Sequence, residues 1–120
     1  MILADTSVWI DHLRHGNAHL TETLGAGDVL CHPFVSGELA CGSLKRRAVI
    51  LALLDELPQA TMAGHAEVLA MIGARNLMGR GMGFIDMHLL ASAMLDGAIL
   101  FTLDKRLAHT ARALGVGLPK

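Results

Sequence analysis

Tyrosine is missing from this chain, and its one tryptophan and three phenylalanines bring the aromatic share to only 3%. That scarcity argues against a base-stacking sheet of the RRM or single-strand-binding kind, which needs several aromatic side chains on one face. Charge of one sign is also lacking. Ten Lys and Arg stand against eleven Asp and Glu, a formal net charge of −1, so no strong global field draws the chain onto nucleic acid. A nuclease is not excluded, because its site needs carboxylates to hold a metal. The longest uninterrupted apolar run, Ala48 to Leu54, falls far short of the ~18 residues that a membrane-spanning helix requires. No basic stretch precedes an apolar one at the N-terminus, so no signal peptide is expected, and the expected location is cytoplasmic. Two cysteines, Cys31 and Cys41, have no metal-like spacing and read as reduced, buried thiols. Seven histidines occur, but without an H-E-x-x-H or C-x-x-C pattern they do not suggest zinc. The glycines at 79, 81 and 83 lack the P-loop pattern and follow no strand. There is no internal repeat, low-complexity tract or linker.

What the chain does have is apolar surface: 52% of its 120 residues are hydrophobic and its mean hydropathy is +0.47. One domain over residues 1–120 is expected, and it would bury about two thirds of its unfolded surface. The apolar excess suggests a covered face, against a partner or a second copy. Trp9, Leu13, Leu44, Val49, Leu53 and Leu54 are candidates, each with core packing as the competing explanation.

The first nine residues organise the reading. Ile2, Leu3 and Ala4 form a short buried strand that ends at Asp5, and Val8, Trp9, Ile10 and Leu13 return at helical spacing. Asp5 thus stands at a strand's carboxyl end, where open α/β sheets bind ligands; alternatively it only helps cap a helix whose N-cap is Thr6 or Ser7. A short helix up to Gly25–Gly27 follows, then a strand over 29–31. A helix opened by His32-Pro33 carries Glu38 on its inner side. An apolar helix over 48–57 stops at Pro58, a short edge strand is expected over 59–62, and a longer helix over 65–78. The glycine loop 79–83 leads into an apolar, central helix from Phe84 to Leu95. A strand over 98–102, a helix with Leu107, Ala111 and Leu114, and a last short strand over 115–118 complete the chain. Strands alternating with helices imply right-handed crossovers and a mostly parallel sheet: a three-layer α/β/α fold with a short sheet flanked by helices.

Four acids keep unusual company: Asp5 and Asp104 after strands, Glu38 in a helix following a strand, and Asp86 at the start of the most apolar helix. Unpaired carboxylates in apolar settings are costly, so four of them imply a cation or basic partners. An oxygen-rich, histidine-free group suits Mg²⁺ or Mn²⁺.

These residues resemble the motifs of the PIN-domain ribonucleases, and among them the VapC-type toxins of type II toxin–antitoxin pairs. I-L-A-D-T-S-V-W-I is similar to the first motif (Asp5), S-G-E-L-A-C-G to the second (Glu38), G-F-I-D-M-H-L-L-A-S-A to the third (Asp86) and L-F-T-L-D-K-R-L to the fourth (Asp104). The likeness covers essentially the whole chain. One departure is Arg106, which stands where many relatives carry a further acid and makes the pocket less negative there. The resemblance implies a metal-dependent endoribonuclease acting on structured RNA (tRNA or rRNA), leaving 5′-phosphate and 3′-hydroxyl ends and inhibiting translation. Asp5, Asp86 and Asp104 would hold Mg²⁺ (or Mn²⁺), and Glu38 would activate water, making four catalytic acids. Ser7 and Thr102 would hydrogen-bond the carboxylates. Among eight candidate cations, Arg75, Arg80, Lys105 and Arg106 are selected to meet phosphate or a partner. The implied partners are RNA, a cognate antitoxin and a second copy in a homodimer, with no membrane. Two rival readings remain: a phosphoacceptor domain, which expects paired acids where Thr6 follows Asp5, and a catalytically silent RNA- or partner-binding module of the same fold.

Overall fold

A computed structural model describes residues 1–119. Its elements are β1 (Ile2–Ala4), α1 (Thr6–His15), α2 (Ala18–Gly25), β2 (Val29–Leu30), α3 (Pro33–Cys41), α4 (Arg47–Glu56), α5 (His65–Ala74), α6 (Phe84–Asp96), β3 (Ile99–Phe101) and α7 (Lys105–Ala113).

The three strands form one parallel sheet in the order β2-β1-β3. Leu3 of β1 is in register with Leu30 and Leu100. Such short strands are stable because both faces are covered, as parallel sheets require: Leu3, Ala4, Val29 and Leu100 are all buried. Two single parallel bridges widen the sheet, Cys31 with Gln59 and Leu100 with Gly117. The expected strands over 59–62 and 115–118 are each reduced to that one bridge. The chain leaves β1 toward β2 and Gln59, then returns to the other side of β1 for β3 and Gly117. Right-handed crossovers put helices on opposite faces for opposite directions of travel. In agreement, α1 packs on α2 and α3, α3 on α4, and α5 on α6. The direction reverses between β1 and β3, and doubly wound sheets bind ligands outside the strand ends at such a switch point.

Helix ends follow local chemistry. Asn17 caps α2 by accepting the Leu20 N–H at 2.9 Å. Gly97, at φ +60°, closes α6 in the left-handed conformation that favours glycine. Helix α5 ends at Ala74, earlier than the apolar spacing through Leu77 predicts, because Asn76 turns left-handed (φ +54°). Helix α6 is the central one, with every residue from Met87 to Ala93 buried. Trp9 and Leu54, weighed as groove residues, are core at 5% and 2% exposure, whereas Val49 and Leu53 are exposed. Cys31 is buried, and burial pushes its thiol pKa up; Cys41 is exposed, contrary to the sequence reading. Among the described residues no helix is long and apolar enough to cross a membrane.

Candidate active site

Asp5 follows β1 and is itself the N-cap of α1, in place of the Thr6 or Ser7 cap expected. It is only 5% exposed, and such burial requires donors for a carboxylate. One oxygen, Oδ1, accepts the Ser7 hydroxyl at 2.5 Å and the Val8 N–H at 3.1 Å. The other, Oδ2, accepts the Thr102 hydroxyl. Each hydroxyl accepts in turn from the loop after β3: Ser7 Oγ from Leu103 N–H and Thr102 Oγ1 from Asp104 N–H, both at 3.0 Å. Two short side chains thus join the ends of β1 and β3 through one carboxylate.

Asp104 caps α7, its Oδ1 accepting the N–H groups of Arg106 and Leu107. Asp86 lies in the first turn of α6 and accepts the Gly83 N–H at 3.2 Å. Asp5, Asp86 and Asp104 therefore all occupy helix N-termini, where unpaired amides and the helix dipole favour negative charge. That placement eases the repulsion of gathering them. Glu38 departs from its expected place. Rather than facing inward it is exposed, on the rim of the cleft, where Oε1 accepts the Thr6 hydroxyl at 2.7 Å. Asp104 is exposed too, and Asp86 half-buried.

The four acids share one field. Burial pushes the Asp86 carboxyl above its ordinary pKa of 3.8, and the charges of Asp5, Asp104 and Glu38 push it further the same way. Only the Gly83 amide bond opposes them. This donor set suits a hard cation by its chemistry: all oxygen, all negative, mutually repelling. As they stand, no three His, Cys, Asp or Glu side chains among the described residues close into a metal-binding group. Raised acidity also carries a stability consequence. A folded state that resists ionising Asp86 is unburdened below the ordinary carboxyl pKa and loses stability as pH rises through the raised value. Asp86→Asn in EDTA should therefore unfold at a higher temperature than the parent at pH 7, and the gap should narrow toward pH 4. Equal melting temperatures across that range would contradict the burden.

The selected cations divide. Arg80, Lys105 and Arg106 line an open pocket of about 300 Å³ together with His109 and Thr110; Arg75 caps the end of α5 and is not among its lining residues. Arg106 lies across Gly81, where a Cβ would collide with the guanidinium and where φ is +78°, so both space and backbone call for glycine there. A second groove of about 630 Å³ runs past Glu38 between α1, α3 and α4, lined by Ile10, Leu13, Leu39, Leu44 and Ile50 with Arg14, Lys45 and Arg46.

Sequence reasoning missed a group of rings at the starts of α3, α5 and α6. His32, completely buried, caps α3 by accepting the Phe34 N–H on Nδ1 at 3.0 Å, so its proton is on Nε2, 3.2 Å from Ser92 Oγ of α6. Burial, and then the nearby His88, lower its pKa to about 4. The signal in the sequence was a histidine directly before Pro33 at a helix start, a position that requires a capping acceptor.

The PIN domain family matches residues 2–113. The chain is 51% identical over 119 residues to Ribonuclease VapC32 of Mycobacterium tuberculosis, in the strains CDC 1551 / Oshkosh and H37Rv; the match covers 98% of this chain and 96% of that protein. The fold is similar to the crystal structure of Mycobacterium tuberculosis VapC20, a sarcin-ricin loop cleaving toxin, with a TM-score of 0.58 and 22% identity over 92% of this chain and 95% of that one.

Proposed function

Because this chain belongs to the PIN-domain family, and within it to the VapC ribonuclease toxins, we propose that its four acids form the site of a Mg²⁺- or Mn²⁺-dependent endoribonuclease acting on structured RNA. The observation that carries this reading is the shared negative field of Asp5, Glu38, Asp86 and Asp104 at the switch point of the sheet. Asp5, Asp86 and Asp104 would hold the ion, which when bound lowers the pKa of water and offsets charge on the phosphate.

The chain's own residues do the rest. Ser7, Thr102 and the Val8 amide hold Asp5 in one orientation, so its negative charge needs no reorganisation when RNA arrives. Glu38, on the rim and steadied by the Thr6 hydroxyl, would orient the attacking water and accept its proton. Arg80, Lys105 and Arg106 would bind phosphates flanking the scissile one, fixing register without reading bases. The substrate would be a tRNA or an rRNA; the similar VapC20 is a sarcin-ricin loop cleaving toxin.

We further propose that the cognate antitoxin occupies the groove between α1, α3 and α4, whose apolar floor and basic rim suit an amphipathic acidic segment, and that the chain forms a homodimer. One set of reactions tests all of this. Purified protein with Mg²⁺ or Mn²⁺ should cut total cellular RNA into discrete fragments. EDTA or added antitoxin should silence it, and light scattering of the antitoxin-free sample should give twice the chain mass. RNA left intact with either metal would remove the catalytic reading and favour the binding-module alternative.

A further inference from the structure

The rings of His32, Phe34, His88, Phe84 and His65 form one row, with neighbouring centroids 5.1, 4.9, 4.8 and 5.3 Å apart. Two of the three phenylalanines are in it, and histidines supply the other rings, which a count of Phe, Trp and Tyr alone overlooks. The row joins the starts of α3, α5 and α6. Two of those helices also present two of the four acids, Glu38 on α3 and Asp86 on α6. Phe34 and Glu38 are one turn apart on the same face of α3, and Phe84 shares the first turn of α6 with Asp86.

One end of this row is closed and the other open. His32 and His88 are buried, so that end of the row is shut off from solvent. His88 lies between the two phenylalanines, its buried Nδ1 without a hydrogen-bond partner among the described residues. Phe84, in contrast, is 42% exposed while His88 and His65 meet it at interplanar angles of 89° and 61°. A large aromatic ring left partly in water and held by neighbours on two sides is preorganised for another flat ring, because little side-chain freedom remains to be lost. RNA recognition commonly splays an unpaired base onto such a ring.

We propose that Phe84 is a stacking platform for an unpaired RNA base beside the scissile phosphate, with His88 and His65 holding its ring. The assignment rests on the nuclease reading of the neighbouring acids. It makes Phe84 a residue that selects RNA with an extruded base over paired RNA, because every base has a π-face but only an unpaired one can present it.

Binding can be read without cleavage, in EDTA, by titrating the protein with a short single-stranded RNA of mixed sequence and with the same sugar–phosphate chain lacking bases. Phe84→Ala and Phe84→Leu should each weaken RNA binding by about 5- to 150-fold, as loss of one base–aromatic stack does, and should leave the base-free chain unaffected. Phe84→Trp should bind like the parent and show emission quenched by the RNA alone; Trp9, buried in the core, supplies a constant background. Phe84→Leu binding RNA as tightly as the parent would overturn the platform, as would equal losses on both probes or binding of an antitoxin peptide alone. If the parent cuts RNA with Mg²⁺ while Phe84→Leu binds normally, the platform fails and the nuclease stands. If stacking appears in a parent that cuts nothing, the nuclease reading fails instead.

Discussion

Asp5→Asn protein should cleave RNA at least about 10²–10³-fold more slowly than the parent at saturating Mg²⁺ or Mn²⁺, the scale of losing one electrostatic group from a transition state. The reason lies in the placement of the carboxylate. Asp5 is the acid at the junction of β1 and β3, and both its oxygens are oriented by donors, so its charge is fixed in space before substrate binds. An amide keeps the shape and removes the charge. It also disturbs the donors in a definable way. The amide oxygen must stay where Ser7 and the Val8 N–H donate, since an NH₂ there would meet a backbone donor. The NH₂ then faces Thr102, whose oxygen already accepts from Asp104 N–H. Thr102 must accept again, and its own proton loses its acceptor.

A buried donor left unpaired costs about 1–3 kcal/mol, so Asp5→Asn should also melt a few degrees lower while keeping its helical circular dichroism. Single-turnover cleavage and thermal melts on the same preparation separate the two effects. Cleavage at the parental rate would mean that Asp5 is only a helix cap.

Acid should unfold this protein through His32. The ring is neutral in the folded state, with its pKa lowered from 6.5 to about 4, whereas in the unfolded chain it protonates normally. The folded state therefore has its full benefit above pH 6.5 and loses it as the pH falls from 6.5 to about 4. Over that interval the difference is on the order of 3 kcal/mol, a large part of the 5–15 kcal/mol that holds a typical domain together. Burial of the ring is the main cause, followed by the nearby His88; protonating Nδ1 would also turn the acceptor for the Phe34 N–H into a second donor. Urea unfolding of the parent and of His32→Gln at several pH values isolates this contribution. The parent's advantage over the variant should shrink steadily between pH 6.5 and 4. An advantage independent of pH would mean that His32 is hydrated or charged in the fold.

Much of this protein was legible residue by residue. Alternating short apolar runs and helical stripes located β1, β2, β3 and all seven helices, because local periodicity and capping residues report what a segment does with its own backbone. The same reasoning singled out four acids as sitting in apolar settings, yet only Asp5 is buried and Asp86 half-buried, whereas Glu38 and Asp104 are exposed. It overran where one backbone angle decided the outcome, as at Asn76, and it saw strands where only single bridges form, at Gln59 and Gly117. It also set Glu38 on an inner face, because apolar neighbours along a helix do not say how far that face extends under its partners.

By itself, then, the sequence determined an alternating α/β chain with acids at strand ends and helix starts, and it carried motifs that resemble one nuclease family. Tertiary structure alone decided the rest: that β1 lies between β2 and β3, that the carboxylate met by both Ser7 and Thr102 is that of Asp5, that His32 is buried against Ser92, and that five rings separated along the chain make one row. The physical reason is common to all four. Each depends on contact between residues far apart in sequence, and a pattern along one element shows which side must be covered but not which distant element covers it.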